Sequence, residues 1–141
     1  METSEVTTIT VEAVIKASVE RVWECWTKPE HIVNWCYATD DWHAPHAEND
    51  LRIEGKFKTM MAAKDGSFSF GFSGVYTKVE QHKSIDYTLD DGRKVKIRFN
   101  HLDNETQVVE SFEAENTHSI EMQKQGWHAI LENFRKYTEA V

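Results

Sequence analysis

Residues 117–141, THSIEMQKQGWHAILENFRKYTEAV, decide the fold. Ile120, Trp127, Ile130, Leu131, Phe134, Tyr137 and Val141 recur at steps of three, four or seven, so a helix over this stretch gathers them on one stripe. Glu121, Gln125, His128, Glu132, Lys136 and Glu139 fall mostly on the other side, with Glu132 and Lys136 spaced for an i,i+4 ion pair. Such a helix needs an apolar surface to lie on. Almost everything before it alternates with a period near two, which implies a single curved β-sheet as its partner.

The stripe is interrupted near its start. Gln123 and Lys124 occupy sheet-facing slots, and Gly126 sits mid-helix at a cost of about 1 kcal/mol relative to Ala. Two arrangements fit: the N-terminal half of the helix roofs a space open to water or ligand while the Trp127–Tyr137 half clamps down, or the first turns overhang the edge of the sheet.

At 141 residues the chain reads as one domain, large enough to bury roughly 68% of its unfolded surface. Lys and Arg number 16 against 24 Asp and Glu, a net charge of −8. That balance disfavours nucleic acid or an anionic membrane surface, since either calls for a basic face. No basic segment precedes an apolar run at the start, and no apolar stretch approaches the ~18 residues of a membrane span, so a cytoplasmic protein is expected. Cys25 and Cys36 are too few for a disulfide framework and are expected as thiols, with Cys25 a small buried residue beside Trp26. Seven Phe, five Trp and four Tyr point to a densely filled core or a lined cavity.

Residues 1–6 read as a loose tail. Ile9, Val11, Ala13 and Ile15 then alternate with Thr8, Thr10, Glu12 and Lys16 as a half-buried strand. Ser18 is an N-cap for a short helix with Val19, Val22, Trp23 and Trp26 on its apolar side. Thr27-Lys28-Pro29-Glu30 reads as a capping box opening a second short helix to about Trp35, and the two helices brace the sheet. Between Cys36 and Glu48 the pattern is weakest, and Pro45 argues against a central strand there. Strand signals resume at Gly55–Met61, turn at Lys64-Asp65-Gly66-Ser67, and continue from Phe68 to Val79. Phe68, Phe70, Phe72 and Tyr76 share one parity, Val75 and Val79 the other, which a change of face near Gly74 would reconcile. Ile85, Tyr87 and Leu89 lead to an Asp91-Gly92 hairpin, then Val95, Ile97 and Phe99 alternate with Lys94, Lys96 and Arg98. After a turn at Asp103-Asn104, Thr106, Val108, Glu110 and Phe112 share the face of a last strand.

The order is strand, two short helices, five or six antiparallel strands, long helix. With Ser18-Val19-Glu20-Arg21-Val22-Trp23, Trp35, Asp50-Leu51-Arg52, Gly55-Lys56-Phe57, Gly66, Phe70, Gly74-Val75-Tyr76, Thr106, Val108, Gly126-Trp127, Leu131 and Phe134, it resembles the SRPBCC superfamily. This is the START-like or Bet v 1-like helix-grip fold, and within it the chain resembles small bacterial proteins related to the Hsp90 ATPase activator domain. The likeness runs from Thr7 to Tyr137, with one departure: Glu54-Gly55 stands where the family has paired glycines. The resemblance implies an α+β fold, a curved antiparallel sheet of six to seven strands gripping the C-terminal helix, with a cavity between them. It implies ligands such as lipids, polyketides, flavonoid-like aromatics or hormones, catalysis of cyclisation in some members, and a chaperone contact in the eukaryotic relative. Fold alone does not choose among these.

By parity the inward set is Phe57, Met61, Phe70, Phe72, Tyr76, Tyr87, Ile97, Phe99, Phe112, Trp127 and Leu131. Tyr76, Tyr87 and Trp127 add a hydrogen-bond donor, and Trp42 is placed as a lid over the cavity mouth. Glu110 is a carboxylate among apolar neighbours; burial would raise its pKa and suit it to acid, base or hydrogen-bond work on a bound hydroxyl. The plainer alternatives are pairing with Arg52, Arg98 or a Tyr hydroxyl, or a place at the sheet rim. Cys36, His43 and His46 with Asp40 or Asp41 have zinc-compatible chemistry but match no strong metal spacing, and Pro45 precludes a helical i,i+4 His pair, so neither metal nor cofactor is expected. The expected function is non-enzymatic binding of a small apolar or aromatic molecule between sheet and helix. The alternatives are a chaperone-activator-like interaction module with a protein partner, and a cyclase- or hydrolase-type enzyme using Glu110.

Overall fold

The computed structural model describes residues 7–141; the expected tail at residues 1–6 lies outside the described residues. Strand β1 (Thr8–Ile15) leads into helices α1 (Val19–Thr27) and α2 (Pro29–Ile32). Strands β2 (Trp42–Asn49), β3 (Lys56–Ala63), β4 (Ser69–Glu80), β5 (Ser84–Leu89), β6 (Lys94–Leu102) and β7 (Glu105–Glu113) follow, and α3 (Ile120–Ala140) ends the chain. The strands form one antiparallel sheet in the order β1-β7-β6-β5-β4-β3-β2. β2 to β7 are thus a meander, and β1 adds itself to the far side of β7.

Period-two alternation becomes one-sided burial. Ile9, Val11, Ala13 and Ile15 of β1 are buried, as are Val95, Ile97 and Phe99 of β6 and Thr106, Val108, Glu110 and Phe112 of β7. Ser18 caps α1 by accepting from the Arg21 amide, and Ser119 caps α3 by accepting from the Met122 amide. The C-terminal half of α3 is clamped through side chains: Tyr137 bonds His31 at 2.6 Å, Glu139 accepts from the Lys16 amide at 2.9 Å, and Phe134 is fully buried against Trp26 and Trp35.

Several expectations are corrected. No capping box opens α2: the Thr27 hydroxyl turns back to donate to the Trp23 carbonyl at 2.8 Å, Lys28 is the N-cap, and regular helix stops at Ile32. The weakly patterned stretch is strand β2, and as Pro45 requires it is an edge strand and not a central one, its register with β3 slipping between His43 and His46, where Pro45 lies. The irregularity in β4 lies between Tyr76 and Lys78, not at Gly74. Gly74 answers a different need: a Cβ there would sit 2.5 Å from the Thr88 carbonyl oxygen and 3.1 Å from the Phe57 ring.

The ends of the α3 stripe also differ, since Ile120 and Val141 are exposed. Glu132 pairs with Arg135 at 2.9 Å rather than with Lys136, and Arg135 continues to Glu139 at 3.1 Å. Glu54 occupies left-handed backbone, φ 70°, and a side chain at Gly55 would collide with the Asp50 carbonyl oxygen at 2.0 Å. In this turn it is the second position that must be glycine.

Candidate functional site

The sheet supplies one wall of a cavity of about 240 Å³. Phe57 lines it at the hub of an aromatic cluster, its ring 4.7 Å from Tyr87, 5.2 Å from Tyr76 and 5.8 Å from Phe72 by centroids. Register explains the cluster: Tyr76 stands directly opposite Tyr87, and Phe57 stands opposite Gly74, whose missing side chain leaves room for the Phe57 ring. The facing wall comes from the helices: Trp26 of α1 and Trp35 beyond α2 pack at 5.1 Å, and Trp127 and Ile130 descend from α3. Trp127 lies flat on Phe112, centroids 3.9 Å apart, and meets Phe72 edge-on at 5.8 Å.

Few polar groups interrupt this surface. Glu110 lines the cavity at 6% exposure, and among the described residues no hydrogen bond or ion pair reaches its carboxylate. Burial pushes its pKa from 4.5 up to about 8, so the carboxyl is largely protonated at neutral pH. The Arg partners considered for it are engaged elsewhere: Arg98 with Asp86 at 2.6 Å and Arg52 with Asp50 at 2.9 Å. Tyr87, also lining the cavity, has its hydroxyl pushed well up by burial and, to a lesser degree, by the Glu110 carboxylate. Tyr76 differs, since its hydroxyl donates to the Asn49 side-chain oxygen, while Asn49 in turn donates to the Thr27 carbonyl. Cys36 contributes a thiol raised to about 12 by burial and then by Glu110. Arg93 reaches the cavity from the β5–β6 turn, held by Asp91 at 2.8 Å.

Phe57, Met61, Phe70, Phe72, Tyr76, Tyr87, Glu110 and Trp127 therefore converge on one space. Phe99, Phe112 and Leu131 do not line it: Phe99 packs on Trp23 and Trp26, Phe112 lies beneath Trp127, and Leu131 is 1% exposed. Trp42, expected as a lid, is not among the lining residues either: it is half-buried, 5.8 Å from Phe70 and 6.0 Å from Phe68, both of which are exposed. Sequence reasoning missed the lining roles of Trp26, Ile32, Trp35, Asn49, Thr59, Arg93 and Ile130. The apolar side of α1 already contained Trp26; its position over the sheet depends on tertiary docking that no local pattern encodes. Of the residues considered for metal, Cys36 lines the cavity while His43 and His46 are exposed on β2, His46 bonding Glu48 at 2.9 Å. Among the described residues no three His, Cys, Asp or Glu side chains form a group that could hold a metal ion.

Gln123 explains its own polarity at a buried helix position. Its side chain accepts from the Glu115 amide at 2.9 Å and donates to the Glu115 and His118 carbonyls at 3.1 and 2.8 Å, which fastens the segment leading into α3. Beside it Gly126 faces open space, and Gly126, Met122, Gln123, Trp127, Arg93, Glu115 and His118 line a second hollow of about 250 Å³.

This architecture has known counterparts. The family model described as "Activator of Hsp90 ATPase homolog 1-like protein" matches residues 16–139. The chain belongs to that family. An AHSA1-like protein of Aeromonas hydrophila, solved by NMR, is 41% identical with a TM-score of 0.90 over 95% of this chain and 93% of its own. A protein of Cytophaga hutchinsonii, also a solution structure, is 51% identical with a TM-score of 0.81, covering 94% of this chain and 92% of its own. A Chromobacterium violaceum protein at 21% identity shares the fold, with a TM-score of 0.84 over 94% and 96% of the two chains. No curated protein matches the chain. Among the described residues no helix of this family member is long and apolar enough to cross a membrane.

Proposed function

We propose that the protein binds a small apolar or aromatic molecule in the cavity between the sheet and α3. The observation that carries this reading is the cavity itself, about 240 Å³ walled by aromatic side chains, with the Glu110 carboxyl and the Tyr87 hydroxyl left without partners among the described residues. Ligand sites are mostly apolar with a few placed polar groups, and a densely packed core has no reason to leave such a space. Phe57, Phe72, Tyr76, Tyr87 and Trp127 are the aromatic contacts, Glu110 the polar one, Met61 and Phe70 complete the sheet wall, and Trp42 covers the outer end. Phe99, Phe112 and Leu131 act from behind, holding the lining side chains in place. The two buried thiols, Cys25 and Cys36, fit a reducing cytoplasm.

Amide correlation spectra of the ¹⁵N-labelled protein, titrated with a mixed library of lipids, flavonoids and polyketide-like aromatics, test the reading. Shifts concentrated on Tyr76, Tyr87, Glu110 and Trp127 support it. Unchanged affinity in stably folded Tyr76→Ala and Trp127→Ala variants would sink this placement of the site.

A second reading rests on the outer end of the molecule, where Phe68 is 61% and Phe70 43% exposed beside Trp42. Exposed aromatic clusters mark interaction surfaces, and the family's description as an activator of Hsp90 ATPase supplies a class of partner, a chaperone. A chaperone pull-down that a Phe68→Ser, Phe70→Ser double variant abolishes would favour this reading; no chaperone captured by the wild-type protein would remove it.

A further inference from the structure

We infer that the ligand is an organic cation, a small aromatic molecule bearing a protonated or quaternary nitrogen, with Glu110 as its counter-ion. This rests on the small-ligand reading above and specifies its chemistry. A carboxylate taken out of water without a partner is unfavourable by several kcal/mol, and folds ordinarily supply a cation or hydrogen-bond donors to it. Among the described residues neither reaches Glu110. Among the described residues Arg93 is the one Lys or Arg that lines the cavity, and Asp91 already holds it. Arg98, on the next strand, is bound to Asp86. The empty site therefore keeps Glu110 protonated, and a positive charge able to ionise it would come from a ligand.

The surrounding surface suits such a charge. Trp26, Trp35, Tyr76, Tyr87 and Trp127 are distributed around the space, and a cation over an aromatic face in a desolvated site gains electrostatic energy that a neutral isostere does not. Glu48 also lines the cavity, though it is exposed and bonded to His46 at 2.9 Å, and a net charge of −8 favours approach of cations over anions.

A pH signature follows. The cavity-lining groups that titrate or carry charge around Glu110 are Tyr87 from β5, Tyr76 from β4, Cys36 after α2, Arg93 from the β5–β6 turn and Glu48 from β2. Both Tyr hydroxyls and the Cys36 thiol are driven upward and stay neutral through the physiological range. In the empty cavity Glu110 holds a proton up to about pH 8, so a bound cation expels that proton and affinity rises as pH rises towards and past that value.

Three probes of nearly the same shape test the inference on the intact protein: tryptamine, N,N,N-trimethyltryptammonium and the neutral alcohol tryptophol. Calorimetric titration is expected to show tryptamine binding at least about tenfold more tightly than tryptophol at pH 8.5, the scale of one charge-assisted hydrogen bond. The quaternary compound, whose charge does not depend on pH, is expected to bind about tenfold more tightly at pH 8.5 than at pH 6.5, a dependence that Glu110→Gln removes along with the preference for the cation. Tryptophol binding as tightly as tryptamine, or a quaternary affinity flat across this range in the wild-type protein, overturns the cation assignment and leaves the small-ligand reading standing. Silence from all three probes, with library compounds still shifting Tyr87 and Trp127, overturns the cation assignment alone; silence from both sets overturns the two together.

Discussion

The Trp127 indole lies parallel to the Phe112 ring, planes within 10° and centroids 3.9 Å apart, so one residue of α3 both closes the cavity and bolts the helix to β7. Trp127→Ala should therefore do more than enlarge the cavity. Loss of the stacked area and the space left behind are expected to cost about 3 kcal/mol in chemical denaturation, while Trp127→Phe, which keeps an aromatic face on Phe112, should cost less than half as much.

Glu110 gives stability a pH dependence of defined sign. Its pKa is 4.5 in an ordinary environment and about 8 in the fold, so between these values the folded state keeps a proton that the unfolded state releases. Stability is unaffected by this group below the lower value, falls as pH rises through the interval, and levels off above about pH 8. Glu110→Gln cannot ionise. Its stability relative to wild type should rise by a few kcal/mol between pH 5 and pH 9, measured as denaturation midpoints of both proteins across that range; parallel profiles would refute the assignment.

The β2–β3 turn offers a stabilising change. Glu54 holds a left-handed conformation at φ 70° in an exposed position, where a side chain is disfavoured and glycine is not. Allowing for the greater freedom glycine gains in the unfolded chain, Glu54→Gly should raise stability by about 0.5–1 kcal/mol. Gly55→Ala, one residue on, should destabilise sharply, because its Cβ would lie 2.0 Å from a backbone oxygen that cannot move aside. Thermal melts of the two variants should therefore shift in opposite directions.

Removal of the Gln123 side chain would leave the Glu115 amide and the Glu115 and His118 carbonyls without the partner that now satisfies them. Gln123→Ala is expected to cost about 2–3 kcal/mol and to speed hydrogen exchange at the residue 115 amide first, before the interior of α3 responds. Uniformly faster exchange along α3 would mean that Gln123 serves the helix and not the segment leading into it.

The strands whose reading succeeded bury one face only. β1 and β7 alternate throughout and β6 as far as Phe99, because each packs its inner side on the core and turns the other outward, so a period of two passes directly from residues to burial. β2 obeyed a weaker logic. It is an edge strand with a slipped register at Pro45, and its half-exposed pattern carries little signal. Gly74 misled for a physical reason: glycine serves bends and close approaches alike, and only the position of Thr88 and Phe57 shows which applies. Thr27 misled similarly, since a hydroxyl able to cap the next helix bonded back into its own. For the site, parity brought Phe57, Met61, Phe70, Phe72, Tyr76, Tyr87 and Glu110 to the sheet wall, but it missed Asn49 and Thr59 and wrongly added Phe99 and Phe112. The opposite wall was hidden because Trp26, Trp35 and Ile130 meet the cavity only through the way the helices dock.

The pairing of β1 with β7 joins Ile9 to Phe112 across nearly the whole chain. The β2–β7 meander can zip up through neighbouring hairpins, but β1 must wait for the last strand to appear, and such distant contacts form slowly. The helix that completes the cavity comes later still. No growing or partly folded chain therefore possesses the site, and a ligand can recognise only the finished fold. It would act as a latch and not as a template: it would leave the order of assembly unchanged and, once assembly is complete, hold the chain there in proportion to its concentration over its dissociation constant.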